Sequence, residues 1–425
     1  MTSTPPNRST PILAHIVQEH ANEAAGLWTT RTELAAAPHV GLFDLARWDE
    51  RLAAHLDGLG VAGEDGWPFC DSMLDDQSPG AMFVAAVRAI EDKRSDKLDG
   101  LFALAARTPE TRSGLVAAFG WVERDRLRGT VAGLIQSENA FRRAVGIAAC
   151  AMHRIDPGLT SGPWLSDPDP IVRARAFRSA GELGRHELLS RVTAALDDDD
   201  PDCRFWAGWS AVLLGDRKRA VDGLARIDTP EAPHRLRAFR LVLQALPTGE
   251  AHALLQRLGG DPSQIRWLIQ GSGIVGDPTY VPWLIKQMAD DNTSRLAGEA
   301  FTHITGGDLD ALHLDRPRPE NVEGEPTENP EDENVEMDPD DGLPWPDQQR
   351  VQGWWDANAN RFPPGTRCFM GDPVTRARCI DVLKSGYQRQ RILAANHLRL
   401  LDPGTPLFNT SAPAWRQQRL LAQEE

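Results

Sequence analysis

The chain has 425 residues, of which 41% are hydrophobic and 25% are charged, and its formal net charge is −15. It is too long for one ordinary globular core, and no apolar run reaches the roughly 18 residues that a membrane span requires. Five widely spaced cysteines and a polar N-terminus without an apolar signal segment predict a cytoplasmic protein that has no structural disulfides.

The negative charge is concentrated in one segment. Between Arg318 and Arg350 the chain has twelve acidic residues and no Lys or Arg. Without these twelve, 49 acidic residues remain against 46 basic ones, so the rest of the chain is nearly neutral. Neither part has the basic surface that nucleic-acid binding requires, and we therefore predict no nucleic-acid partner.

The first 100 residues predict a short tail and a helical cap. Residues 1–10 are expected to be a disordered tail, followed by an amphipathic helix from Pro11 to about Ala36. A second helix is expected from about Val40, and two shorter ones follow Gly66. Because residues 11–100 lack the repeat described next, they are suited to covering the exposed end of a repeat array.

A pattern in the middle of the chain recurs with an offset of 31 residues. Leu165–Gly184 aligns with Leu196–Gly215, so that an Asp-Pro pair, an Arg, two Ala and a Leu-Gly pair fall at matching positions. The Asp can cap a helix, the Pro fits its first turn, and the Gly ends it. A second short helix completes each unit. Two such helices bury their apolar faces only by stacking on neighbouring units.

The pattern continues over about six units between residues 101 and 306. An arginine recurs on the same spacing at Arg142, Arg173, Arg204, Arg235 and Arg266. The order Asp-Pro, Val-Arg, Ala at every fourth residue and Leu-Gly resembles the short HEAT-like repeats of bacterial proteins. This resemblance implies an all-α fold, a right-handed α-α superhelix (HEAT-like solenoid) with helical caps at both ends.

The composition changes after residue 306. Residues 315–345 are rich in Pro, Glu, Asp and Asn, and they predict an acidic disordered insertion because they cannot bury enough apolar surface to become ordered. Helices are expected again at 348–359, 373–385 and 387–401. Residues 346–425 are therefore predicted to form a helical cap at the far end of the solenoid.

Two further segments carry a narrower resemblance. Trp28-Thr-Thr-Arg31, Ala37-Pro-His-Val40 and the run from Leu45 to Leu59 are similar to an uncharacterised bacterial HEAT-repeat family, as is Leu398–Thr410 near the C-terminus. Members of that family are often encoded beside spike and effector components of type VI secretion. The resemblance implies a setting in type VI secretion and supplies no catalytic residues.

Three patterns suggest chemistry that we do not predict. Gly271-Ser-Gly-Ile-Val-Gly276 matches the dinucleotide fingerprint, but that motif follows a strand, whereas the repeat spacing predicts a helix here, so no cofactor is expected. His15 and His20 lie about 140° apart around a helix, which argues against a metal site.

The third pattern is an imagined acid–base set, His39, Asp44, Asp49 and His55. No Ser or Cys nucleophile motif accompanies these residues, and capping or ion pairing explains their charges. We predict no catalytic residues and no enzyme activity. The recurring arginines permit a phosphate-binding ladder, but bridges to Asp-rich turns such as 197–200 are the preferred interpretation.

One set of residues predicts a binding surface. On a helical wheel, the face opposite the Val172–Ala176–Leu183 stripe carries aromatic residues and arginines, types that are enriched in interface hot spots. This face is expected to line the concave side of the superhelix. In the alternative interpretation, the helices are sandwiched in a tightly curved solenoid and these residues are core. The predicted partner-binding residues are Arg178, Phe205, Trp209, Leu236, Arg240 and Trp267.

The preferred functional hypothesis is a non-catalytic scaffold or adaptor in type VI secretion that grips an effector or spike component in a concave groove. An alternative is an immunity protein that occludes a cognate toxin. A third is an enzyme of the lyase or glycosylase type built on HEAT-like repeats, which would require an isolated acid or base in a pocket. The predicted partner is a protein, with no cofactor, metal or membrane.

Overall fold

The computed structural model describes residues 13–226, 234–319 and 338–424. In these ranges the regular secondary structure is helical apart from four strands of two residues each, and the helices pack in pairs, as in a HEAT-like α-solenoid. The predicted all-α fold is confirmed. The predicted tail, residues 1–10, lies outside the described ranges. None of the helices in these ranges is long and apolar enough to cross a membrane.

The contacts divide the chain into two compact units, and the first comprises residues 13–35, 43–153 and 411–416 of the described chain. It therefore extends past residue 100, where the sequence predicts that the helical cap ends. Its helices are α1 (Ala14–Leu34), α2 (Leu42–Ala62), α3 (Trp67–Met73), α4 (Pro79–Glu91), α5 (Ser95–Arg107), α6 (Arg112–Trp121), α7 (Thr130–Ile135) and α8 (Ala140–Met152).

Helix α4 is the centre of this unit. All residues from Gly80 to Ile90 are buried, because the helix is apolar apart from Arg88 and is surrounded by others. The ring of Phe83 stacks on that of Trp28, with 5.2 Å between the ring centres, and meets the ring of Trp121 edge-on at 5.8 Å. These contacts join α1, α4 and α6 in one core.

The second unit comprises residues 36–42, 154–226, 234–319, 338–410 and 417–424. The last helix includes residues of both units. The helices are α9 (Pro170–Leu183), α10 (Leu189–Ala194), α11 (Pro201–Leu213), α12 (Arg219–Ala225), α13 (Arg235–Ala245), α14 (Thr248–Leu258), α15 (Ile265–Val275), α16 (Val281–Gln287), α17 (Asp291–Thr305), α18 (Gln348–Asn358), α19 (Arg376–Ser385), α20 (Gln388–Leu401) and α21 (Ala414–Leu421).

Two short antiparallel pairs complete the unit. Strand β1 (Asp315–Arg316) pairs with β2 (Trp345–Pro346), and β3 (Cys368–Phe369) pairs with β4 (Asp372–Pro373). Helices α9, α11, α13, α15 and α17 are the first helices of successive repeats, and each packs on the next. The shorter helices α10, α12, α14 and α16 lie between them in the chain.

The starts of α9 and α11 and the end of α9 follow the pattern that the sequence predicts. The side chain of Asp169 accepts a hydrogen bond from the N–H of Ile171 at the start of α9, and Asp200 caps α11 in the same way through Cys203. Gly184 ends α9 with φ of 72°, a left-handed conformation that favours glycine. Four alanines at the helix contacts are fully buried: Ala176, Ala180, Ala207 and Ala211.

Two repeat arginines hold the Asp-rich turns, which confirms the preferred interpretation for them. Arg173 forms an ion pair with Asp198 at 2.9 Å and also donates to the carbonyl of Asp167. Arg204 donates to the carbonyls of Asp198 and Asp199. Each arginine therefore binds the turn that precedes its own helix. Arg173 also binds the turn of the next repeat.

The predicted register needs one correction in the first unit. Asn139 caps α8, and Arg143, four residues later, donates to the carbonyls of Ser137 and Glu138. These are the contacts that Arg173 and Arg204 make four residues after their own caps. Arg142, which the 31-residue spacing selects, instead forms an ion pair with Asp99 at 2.6 Å. The equivalent arginines of α8 and α9 are therefore Arg143 and Arg173, one residue closer than the 31-residue spacing, because the register follows the helix caps.

The C-terminal segment does not end the solenoid in the way the sequence predicts. Residues 346–425 are expected to cap its far end, but residues 367–371 and 404–407 contact the C-terminal ends of repeat helices. The N–H of Leu407 donates to the carbonyl of Glu182 in α9, at 2.8 Å. The N–H of Cys368 donates to Gly276 after α15, and that of Met370 donates to His303 in α17. The segment thus supplies donors for carbonyls that a helix end leaves unpaired.

Helix α13 depends on a side chain for the same purpose. It is followed by Leu246 in an extended conformation rather than by a left-handed glycine. The guanidinium of Arg367 donates to the carbonyls of Leu243, Gln244 and Leu246, at 3.0 Å for Leu243 and 2.7 Å for Leu246. The side chain of Gln244 in turn donates to the carbonyl of Leu393 in α20, at 2.9 Å. One arginine therefore closes the end of α13.

Both ends of the predicted acidic insertion are ordered, which corrects its boundaries. Strands β1 and β2 pair across it, and Asp338 and Asp340 form ion pairs with Arg295 and Arg266 at 2.5 and 2.7 Å. The carboxylate of Asp338 accepts from the N–H of Asp340, the same local turn that Asp167 forms in α9's repeat. The turn thus holds the C-terminal end of the acidic segment against Arg266 of α15 and Arg295 of α17. Residues 320–337 lie outside the described ranges.

Replacing a buried repeat alanine by leucine is expected to destabilise the second unit. Ala176→Leu or Ala207→Leu should lower the free energy of unfolding in urea by about 1–3 kcal/mol, because an extra side chain overpacks the contact between α9 and α11. Ala253→Leu, on the exposed side of α14, is the matched control. Unchanged stability in both repeat variants would contradict the described packing.

The docked acidic turn is expected to stabilise the protein through one residue rather than through charge in general. Asp340→Ala should lower the free energy of unfolding by about 1–3 kcal/mol, because the largely buried carboxylate receives charged hydrogen bonds from Arg266. The neighbouring Asp341 is exposed, so Asp341→Ala should have little effect. Equal effects of the two variants in urea denaturation would show that the turn does not dock.

Candidate protein-binding surface

The predicted aromatic strip on α11 lies in the core rather than on a wet face. Phe205 and Trp209 are 5% and 4% exposed. The ring of Phe205 stacks on His234 at 4.0 Å, and Trp209 meets Trp206 edge-on at 5.5 Å. The expectation that this face is open to solvent is wrong for these two residues, because neighbouring side chains cover them.

The centre of the region is Trp206, which the sequence reasoning missed. The guanidinium of Arg178 lies 4.5 Å from the centre of this ring, and that of Arg237 lies 5.1 Å from it. Arg178 also donates to Glu182 at 2.7 Å and keeps 35% of its side chain exposed. The ring is thus contacted by two guanidinium groups from different repeats, a cation–π arrangement.

Arg237 is the exposed member of this group. It forms no hydrogen bond or ion pair with any residue in the described part of the chain, and its contacts are with the rings of Trp206 and Trp209. Protein atoms around the guanidinium and the nearby Arg178 together lower the pKa of Arg237 to about 10, so the group stays charged at neutral pH. Leu236 beside it is 37% exposed, as predicted for a surface position.

The remaining two predicted residues are separate from this group. Trp267 is half-buried, meets Phe239 edge-on at 5.0 Å, and lies under the guanidinium of Arg235 at 4.3 Å. Arg240 is half-buried in a cleft between α13 and α17. The six predicted residues therefore do not form one continuous strip. Their partner-binding roles stay predictions.

We call the group around Trp206 the arginine–tryptophan surface. It is formed by α9, α11, α13 and the residue before α13, and its described charges are three arginines against Glu182 and Asp202, the latter 3.5 Å from His234. Arg175 and Arg178 share the carboxylate of Glu182, while Arg237 adds a positive charge that no carboxylate within hydrogen-bonding distance in the described chain balances. An exposed Arg and Leu around a rigid Trp suit contact with an acidic and partly apolar protein surface. Its members are Arg178, Trp206, His234, Leu236 and Arg237.

The glycines of the apparent nucleotide fingerprint serve helix packing. Gly271 and Gly273 lie within α15, and Gly276 ends it with φ of 75°. A Cβ atom at Gly271 would lie 2.5 Å from the side chain of Leu255, and one at Gly273 would lie 2.8 Å from the Cα atom of Ala300. The predicted helix is confirmed at this position, and the glycines allow α15 to approach its neighbours.

The polar residues near the N-terminus form structural contacts. Asp49 is 1% exposed, pairs with Arg31 at 2.5 Å and accepts from the N–H of Ala414 at 2.6 Å. Ring nitrogens of His20 and His55 lie 3.1 Å apart, and burial and His20 lower the pKa of His55. The described residues contain no group of three or more His, Cys, Asp or Glu that could hold a metal ion.

A comparison with known protein families places a match on this part of the chain. Residues 162–244 match the family described as HEAT repeats. No curated protein and no solved structure matches the chain. The matched region runs from before α9 to within α13 and contains every member of the arginine–tryptophan surface. Residues 162–244 are thus a HEAT-repeat region in a mostly helical chain, and such repeats typically mediate contacts between proteins.

Proposed function

We propose that this protein is a non-catalytic scaffold or adaptor that binds a protein partner through the arginine–tryptophan surface. The observation that carries the proposal is the state of Arg237, an exposed guanidinium held over Trp206 without an ion pair or hydrogen bond in the described chain. Because the ring fixes its position, this group is ready to donate to a carboxylate with little loss of side-chain freedom.

The composition of the surface supports the same proposal. Arginine and tryptophan dominate the binding energy of many protein interfaces, and Leu236 adds exposed apolar area beside them. The rigid helices α9, α11 and α13 carry these residues, and the HEAT-repeat match covers them. Binding would then use a preformed surface, which limits the entropic cost of association.

The protonation state of three buried cysteines argues against thiol catalysis by these residues. Burial raises the pKa of Cys70 and Cys379 to about 11 and that of Cys203 to about 12. A thiol with such a pKa stays protonated near neutral pH, and the thiolate is the form that acts as a nucleophile. These three side chains are therefore suited to packing rather than to covalent catalysis.

The proposed partner is an effector or spike component of type VI secretion. This part of the proposal is supported by the resemblance of Trp28–Leu59 and Leu398–Thr410 to a HEAT-repeat family encoded near such components. The positive charge of the surface adds that the contact region of the partner should be acidic. Cytoplasmic binding before secretion would fit an adaptor.

Reversing the charge of Arg237 is expected to weaken partner binding without unfolding the protein. The immobilised full chain would capture the partner from an extract of the native host, and the purified partner would then be titrated against each variant. Arg237→Glu should raise the dissociation constant by about tenfold or more, because it places like charges together at the contact. Its thermal midpoint should stay close to that of the wild type.

The matched control is Arg257→Glu, which makes the same change at an exposed position on α14. It should bind the partner as the wild type does. If Arg237→Glu binds as tightly as Arg257→Glu, the arginine–tryptophan surface is not the binding site, and the proposal fails.

A further inference from the structure

A second polar site lies in a cleft of the second unit. Helices α13, α15, α17 and α20 line a narrow cleft that is partly open to solvent. Three successive repeat helices and the distant α20 contribute to its walls, so the site exists only in the folded chain. Its charged and polar lining residues are Arg240, Gln270, Glu299, His303 and Arg389.

The cleft holds one more positive than negative charge. Arg389 pairs with Glu299 at 3.1 Å and also donates to the carbonyls of Pro339 and Ala36. Arg240 has no hydrogen bond or ion pair with any residue that the structure describes. Burial lowers the pKa of Arg240 to about 10, and Glu299 offsets this only in part. Its guanidinium therefore stays charged at neutral pH without a partner of its own.

His303 gives the second, independent observation. It is 6% exposed and lines the cleft, and its Nε2 atom has no hydrogen-bond partner among the described residues. Burial, together with Arg240 and Arg389, lowers the pKa of His303, which leaves the imidazole neutral. A buried polar atom without a partner is rare in folded proteins. Arg240 and His303 thus offer two unsatisfied groups to one ligand.

We propose that this cleft binds the carboxylate of an Asp or Glu side chain that the protein partner inserts. This inference rests on the proposed function. The planar fork of a guanidinium matches a carboxylate in two parallel hydrogen bonds. Apolar side chains of Ile274, Leu296 and Leu393 also line the cleft, so the methylene groups of an acidic side chain would bury there. An inorganic anion has no such apolar part.

The position of Arg240 on its helix links the cleft to the arginine–tryptophan surface. Residues three and four apart lie on the same face of a helix, so Arg240 follows Arg237 and Leu236 along α13. One acidic segment of a partner can therefore contact Arg237 and place a further carboxylate in the cleft. The cleft would select for the spacing of acidic residues as well as for their charge.

A short polyglutamate peptide with a fluorescent label is the probe for this inference. Its anisotropy should rise on binding to the full chain, whereas a polyglutamine peptide of the same length should not bind. Arg240→Gln should weaken polyglutamate binding by about tenfold, because the charged donor in the cleft is lost. Arg257→Gln, at the exposed position on α14, is the matched control and should bind as the wild type does.

Two further measurements locate the peptide. The imidazole nitrogen resonances of His303 should shift when polyglutamate is added to the wild type and stay unchanged in Arg240→Gln. If Arg240→Gln does not fold, Arg240→Lys tests the same point, because it keeps the charge and loses the guanidinium fork. We expect it to bind several-fold more weakly than the wild type.

Three results would overturn the inference. Polyglutamate binding that is equal in Arg240→Gln, in Arg240→Lys and in the wild type would exclude the cleft. Unshifted His303 resonances at saturating peptide would also exclude the cleft. Displacement of polyglutamate by sulfate at constant ionic strength would show that the cleft binds a free anion. If Arg237→Glu loses the captured partner while Arg240→Gln keeps it, the inference fails and the proposed function stands. If both keep it, the proposed function fails.

Discussion

The second unit depends on donors for the carbonyl groups at the C-terminal ends of its repeat helices. Each α-helix leaves its last four carbonyls without partners inside the helix, and a stack of parallel repeat helices collects these ends along one side. Here residues 367–371 and 404–407 contact these ends. Backbone N–H groups of Cys368, Met370 and Leu407 and the guanidinium of Arg367 donate to the helix ends.

The close approach of this segment explains the glycines that end α9, α15 and α17. Gly184, Gly276 and Gly306 all have positive φ, and a Cβ atom at any of them would collide with a backbone carbonyl of the C-terminal segment. Glycine is therefore required at each position for two reasons: the left-handed backbone conformation and the lack of space for a Cβ atom. Helix α13 has no such glycine, and Arg367 takes over its end.

The same arrangement creates the candidate cleft. Helix α20 lies against α13, and its residues Arg389 and Leu393 form part of the cleft wall beside Arg240. A solenoid without this segment would leave Arg240 on an open face, as the sequence reasoning expects. The chain instead covers part of that face itself and leaves a narrow polar opening.

The repeat helices could be predicted because their signals are local. Asp169 as a cap, Gly184 as a terminator and the buried Ala176 all follow from spacing within one repeat. The C-terminal contacts could not be predicted, because a backbone N–H such as that of Leu407 leaves no pattern in the sequence. Trp206 was missed for a related reason, since its role depends on guanidinium groups from two other helices rather than on its own helical face.

Substitution of Arg367 tests most directly whether the C-terminal segment stabilises the repeat helices. Arg367→Met removes three hydrogen bonds to the end of α13, and the free energy of unfolding in urea should fall by about 2 kcal/mol or more. Arg257→Met, an exposed arginine on α14, should change it little. Equal stability of the two variants would contradict the account.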